Sequence, residues 1–219
     1  TDPQERATLR AELDGMIAHL YKLTEDEFAY ILSTFPLVSD EVKDAALEQF
    51  RRFAPIPDDH TLAENIKKGE TDWQELKVAA CWNPFTSKKD DTMRSNVVEA
   101  VASFLNSREG GALVIGVDAK GNIVGLEDDY KAADPRQPNR DGYERFIRNL
   151  LNASLGAEHS SLYRFTFGHV GGREICHIKI EPSPRPVFYK GDMYIRDGNG
   201  KRKLTAQAAL AYQKQRWRP

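Results

Sequence analysis

The chain has 219 residues, 40% of them hydrophobic, with ten Phe, eight Tyr and three Trp. That is enough apolar mass for a real core and excludes global disorder. A formal net charge of −2 excludes a uniformly basic nucleic-acid binder, and no apolar run approaches the ~18 residues a membrane-spanning helix needs.

Charge is unevenly spread. Residues 1–70 hold eight Lys/Arg against fifteen Asp/Glu, whereas residues 190–219 hold eight against two. The basic end reads as an anion-binding face or as a solvated tail. Cys81 and Cys176 form neither a disulfide framework nor a CxxC pair, so a reducing, cytoplasmic setting is expected. The chain begins at Thr1 rather than Met, as a piece of a longer protein would.

Three helices are expected in the first fifty residues. Leu9, Leu13, Met16 and Leu20 recur at helical spacing and predict the inward face of the first. Thr24 and Glu27 form a capping box that opens the second, and Pro36 stops it. The third starts near Asp40. This gives a helical segment over 1–53 and a Pro-rich linker over 54–61, "APIPDDHT". Residues 62–219 follow a different rhythm.

"DWQELKVAA" predicts a strand, with Trp73 in the core. "MRSNVVEAVASFLNS" predicts a helix, and "GGALVIGV" an apolar strand that returns through Lys120-Gly121-Asn122 as a hairpin with "AKGNIVGL". "GYERFIRNLLNASLG" is a helix ended by Gly156. A second hairpin turns at Gly171-Gly172, "PVFYK" and "DMYIRDG" read as short strands, and "LTAQAALAYQKQRW" closes the chain as a helix. The fold class is therefore α+β, a mixed sheet with packed helices behind a small all-helical segment.

There is no P-loop, HExxH, G-x-S-x-G or GxGxxG motif, so no nucleotide cofactor is expected. The five histidines lack ligand spacing, and His177 reads as structural. "GETDWQELK" (69–77) instead crowds charge at the mouth of a strand. Glu75 and Lys77 share a strand face, and Glu70 joins them if Gly69 bends the chain. Asp118 ends the apolar strand. Three oxygen donors suit Mg²⁺ or Mn²⁺, with Lys77 offsetting charge. Residue chemistry leaves a rival open, in which Glu70 solvates a loop and Glu75–Lys77 is a surface ion pair.

Several pieces together resemble the Schlafen AlbA-type (Schlafen core-like) domain. "GETDWQELK" is similar to the family's G-E-x-x-x-x-E-F-K, with Leu76 in place of Phe. "VVEAVASFLNSREGGALVIGVDAKGNIVGLEDDY" is similar to its helix and Gly-Gly hairpin, and "PSPRPVFY" through "MYIRDGNGKRKLTAQAALAY" to its closing strands and helix. The resemblance covers about residues 62–217. It implies a metal-dependent endoribonuclease acting on structured RNA such as tRNA, with Glu70, Glu75 and Asp118 as catalytic metal ligands. RNA is favoured over DNA, and a homodimer or a neighbouring domain would complete a two-lobed groove. A non-catalytic DNA- or RNA-binding module of a restriction or regulatory protein is the alternative, and an assembly domain a third. The N-terminal helices resemble the helical tail of adenine-specific DNA methyltransferases of restriction and defence systems, which implies a phage-defence context.

Two basic clusters are expected to contact phosphates. Lys88, Lys89 and Arg94 lie near Trp82 and Phe85, with Asp90 and Asp91 diluting them. Arg196, Lys201, Arg202 and Lys203 surround a turn near the chain end and rank first.

Overall fold

The capping chemistry of the first fifty residues produces three helices in the computed structural model, which describes residues 2–21, 23–52 and 59–217. The chain divides into two compact units, Thr1–Ile56 and Pro57–Pro219. Of the expected linker, 54–58 lie outside the described residues, and 59–61 open a helix instead.

In the first unit, α1 (Pro3–Leu20) starts with Pro in its first turn behind Asp2, whose side chain accepts from the Gln4 amide. α2 (Glu25–Ser33) opens on the reciprocal Thr24–Glu27 capping box, and α3 (Asp40–Arg52) follows. The inward face of α1 differs from the expected one. Leu9, Leu13, Met16 and Leu20 are exposed, Leu20 by 81%, whereas Ala11, Gly15 and Ala18 are buried. The reason is close approach: a Cβ on Gly15 would stand 2.7 Å from the backbone nitrogen of Phe50 on α3. Two helices that near can meet only through small residues, so the larger ones turn outward. Ala18, Phe28, Ala46 and Phe50 form the unit's core, with the His19 ring stacked on Phe50.

The second unit is built on a four-stranded mixed sheet in the order β1-β4-β6-β5. After α4 (Asp59–Lys67), β1 (Gln74–Lys77) runs parallel to β4 (Gly111–Ile115), joined by a two-residue-stranded hairpin, β2 (Trp82–Asn83) and β3 (Lys88–Lys89), and α5 (Asp91–Asn106). Next come α6 (Glu127–Ala133), α7 (Arg140–Leu155) and a 3₁₀ turn (Ala157–Leu162). β5 (Tyr163–Val170) and β6 (Arg173–Ile180) form the antiparallel hairpin expected at Gly171-Gly172. β7 (Tyr194–Asp197) and β8 (Gly200–Lys203) form a separate hairpin, and α8 (Ala206–Arg216) closes the described chain. The α+β class read from the sequence is the one observed.

Both faces of the sheet are covered. Leu113 and Ile115 join Val97, Val101, Phe104, Leu105 and Ile147 on one side, while Val114 joins Leu62, Ile66, Leu76 and Ile175 on the other. A strand buried on both faces reads as a continuous apolar run. It also has both edges taken, by β1 and β6. "AKGNIVGL" therefore has no edge to pair with, and the expected hairpin shrinks to one bridge, Val117 to Ile123. "PVFYK" is not a strand either. The amide of Asn106 bonds both the N–H and the carbonyl of Val187, doing what a neighbouring strand would do. Among the described residues no helix is long and apolar enough to cross a membrane.

Candidate nucleic-acid interface

Gly69, with φ +74°, makes the bend that lets Glu70 double back on β1. Glu70 Oε1 lies 3.4 Å from the Leu76 amide and 3.6 Å from Lys77 Nζ. Lys77 Nζ also donates to Glu75 Oε1 at 2.6 Å. The two glutamates thus flank one lysine, as alternation in a bent strand requires. Trp73, expected in the core, precedes β1 and is 39% exposed, with Lys68 Nζ 5.8 Å from its ring centre.

The other side of Glu75 is taken by Arg196. Its Nη1 donates to Glu75 Oε2 at 2.6 Å, Nη2 to the Thr71 carbonyl at 2.6 Å and Nε to the Asp72 carbonyl at 3.3 Å, while the guanidinium lies over Phe104. Arg196 and Glu75 side chains are each 6% exposed. Burial works against ionisation of Glu75, but Lys77 and Arg196 outweigh it and hold its carboxyl below the usual carboxylate range. The arrangement is an internal charge lock that fastens the β7–β8 hairpin to β1.

Asp118 is spent on its own turn. Its Oδ1 accepts from the amides of Lys120 and Asn122, and its Oδ2 from the Asn122 side chain at 2.8 Å. Bonds from Asn122 and Lys120 lower its pKa.

The first-ranked basic cluster is neutralised. Besides Arg196, Lys201 meets Glu99 at 2.6 Å, Arg202 meets Asp197 at 2.8 Å and Lys203 meets Asp192 at 2.6 Å. The cluster ranked second is the open one. Its two diluting acids are engaged: Asp90 caps α5 through Thr92 and bonds Asn83, and Asp91 pairs Arg94. Arg94 itself lies against Phe146. Lys88 and Lys89 are exposed, and no carboxylate among the described residues pairs with either. Between β2 and β3 the loop 84–87 carries Phe85, 80% exposed, with the Asn83 side chain accepting from the amides of Phe85 and Thr86 to hold the bend.

What anchors this hairpin was not read from the sequence. Asp129, at 2% exposure in the first turn of α6, accepts from the amides of Ala80 (2.7 Å), Cys81 (2.9 Å) and Trp82 (2.7 Å) and from the Tyr143 hydroxyl. A buried carboxylate is tolerated only when so fully satisfied. Burial first, then Asp129, pushes the Cys81 thiol far up, so it is inert as a nucleophile. In sequence, Asp129 is one acid among three at a helix start.

A family model described as Schlafen, AlbA_2 matches residues 70–205, more than half the chain. The chain belongs to the Schlafen, AlbA_2 family. Membership supports nucleic-acid binding as its general role. Among similar solved structures is the crystal structure of the DIP2311 protein from Corynebacterium diphtheriae, at 17% identity and a TM-score of 0.48; the match covers 66% of this chain and 24% of that one. No curated protein matches.

The matched Schlafen, AlbA_2 segment contains Glu70, Glu75, Asp118 and the β2–β3 hairpin, and leaves out the helical unit. As placed, its carboxylates do not fit a three-acid centre for Mg²⁺ or Mn²⁺. Glu75 is shared between two internal cations and Asp118 closes its own turn. Among the described residues no three His, Cys, Asp or Glu side chains converge to hold a metal ion.

Proposed function

We propose that this Schlafen, AlbA_2 domain binds single-stranded or unstacked nucleic acid through the β2–β3 hairpin, without cleaving it in the arrangement described above. The observation that carries the reading is Phe85, 80% exposed on the loop of a hairpin whose Lys88 and Lys89 have no carboxylate partner among the described residues. An exposed ring offers a stacking face to any base, and flanking ammonium groups track the phosphates. RNA is the favoured ligand, as the resemblance to tRNA-cleaving Schlafens implies.

Fluorescence anisotropy with labelled single-stranded and duplex RNA tests it. Phe85→Ala should weaken binding to the single strand by about 1–3 kcal/mol, with little change for the duplex, because only an unstacked base can lie on the ring. Equal affinities of wild type and variant for the single strand would refute it.

A second reading, a metal-dependent endoribonuclease, has one observation in its favour: Glu70 and Glu75 both lie against Lys77. It requires Arg196 to leave Glu75. Cleavage of tRNA with Mn²⁺ by wild type but not by Glu75→Ala would establish it over the first. A homodimer that pairs two lobes, and a defence role, would accompany that outcome.

A further inference from the structure

A second exposed ring and a second exposed lysine meet on the segment that leads into β7. Val187 and Tyr189 are buried, and Phe188 between them is turned outward, 42% exposed. Tyr189 and Asp192 exchange both backbone bonds, at 2.9 and 3.0 Å, across Lys190 and Gly191, whose φ angles are +52° and +82°. A two-residue turn with both central residues left-handed favours Asn-Gly, so lysine brings to it only an ammonium group. Lys190 is exposed, with Nζ 5.0 Å from the Tyr189 ring centre, and no carboxylate among the described residues pairs with it. The turn's own acid, Asp192, is taken by Lys203.

The helix α5 brings this turn to the β2–β3 hairpin. Asn106 at its end holds Val187, and Ser95 Oγ near its start lies 3.3 Å from the Tyr189 hydroxyl, so residues 187–189 run along the helix toward its beginning. Ser95 follows Asp91 by about 6 Å at 1.5 Å per residue, and β3 ends at Lys89, just before Asp91. Thr92 and Ser95, three residues apart, share the intervening helix face. The acids along the way are engaged, Asp91 by Arg94 and Glu99 by Lys201. We propose that the Lys190 turn is a second contact for one nucleic-acid strand, Phe188 stacking on a base and Lys190 meeting a phosphate. That strand runs from Phe85 across the start of α5 to Phe188, which rests on the hairpin's role proposed above.

Anisotropy titration of the full chain with a labelled oligouridine of about twelve nucleotides, a length within the range of single-strand sites, tests this. Wild type should bind one strand per chain. Phe188→Ala should weaken binding about tenfold and leave the salt dependence unchanged, as loss of one stacked base would. Lys190→Asn keeps a residue suited to φ +52° and removes the charge, so it should lower the log–log salt slope by about 0.7. Lys190→Arg should restore the slope. If Phe188→Ala lowers the melting temperature, the Lys190 pair decides, because a purely structural lysine would not move the slope. Wild-type affinity and slope in the turn variants, with Phe85→Ala still weakened, would overturn the second contact and leave the hairpin reading standing. Weakening by the turn variants with Phe85→Ala unaffected would overturn the hairpin reading and the shared strand with it. Two strands bound per chain would also overturn the shared strand.

Discussion

Replacing Arg196 with Met separates a charge lock from a metal site. The apolar stem over Phe104 is kept, but three bonds go: those to Glu75, the Thr71 carbonyl and the Asp72 carbonyl. Glu75, with its side chain 6% exposed, retains only Lys77. Stranding one partner of a buried pair costs roughly 3–5 kcal/mol, and the surviving lysine places this case near 3. For a unit of this size each kcal/mol moves the melting temperature by about 2–4 °C, so calorimetry in EDTA should show a drop of about 6–12 °C. Adding Glu75→Gln should recover much of it, because no charge is then left buried alone. A variant melting within about 2 °C of wild type, with Mn²⁺ raising the melting point of both, would refute the reasoning and return Glu75 to the role of a cation ligand.

Two further outcomes follow from buried groups. Asp129→Ala strands the Ala80, Cys81 and Trp82 amides at about 1–3 kcal/mol each, so urea unfolding should show a loss of at least about 3 kcal/mol. The same variant should bind single-stranded RNA more weakly, since the hairpin loses its anchor. His177 on β6 is pushed down to about 4, by burial first and then by Lys179. Its folded pKa lies below the unfolded value of 6.5, so its contribution is full above pH 6.5 and is lost as pH falls toward 4. That contribution is of the order of 3 kcal/mol, and His177→Gln should flatten the stability profile across this window. An unchanged slope would mean that another group sets the acid limb.

The features legible in the sequence were those set by neighbours in the chain. Period-two alternation put Glu75 beside Lys77, Gly69 announced the bend that returns Glu70, and Thr24–Glu27 fixed the start of α2. Features set by distant partners were not legible. Nothing local says that Arg196 will find Glu75, or that Asp129 will collect three amides from residues 80–82. The ion pairs inside the C-terminal basic cluster were not legible for the same reason. Counting charges favours the C-terminal turn, but Asp192, Asp197, Glu75 and Glu99 absorb its cations. The face of α1 was misread because apolar periodicity marks a stripe without saying whether Ala11, Gly15 and Ala18 pack tighter on the other side.

The salt dependence of RNA binding compares the two clusters directly. Affinity for a single strand should be measured across salt concentrations for wild type, for Lys88→Ala with Lys89→Ala, and for Arg202→Ala with Lys203→Ala. Each phosphate contact removed lowers the log–log slope by about 0.7, so the hairpin pair should lose up to about 1.4 and bind more weakly, while the C-terminal pair keeps the wild-type slope. The reverse pattern, with Arg202 and Lys203 carrying the slope and the hairpin lysines silent, would contradict the account.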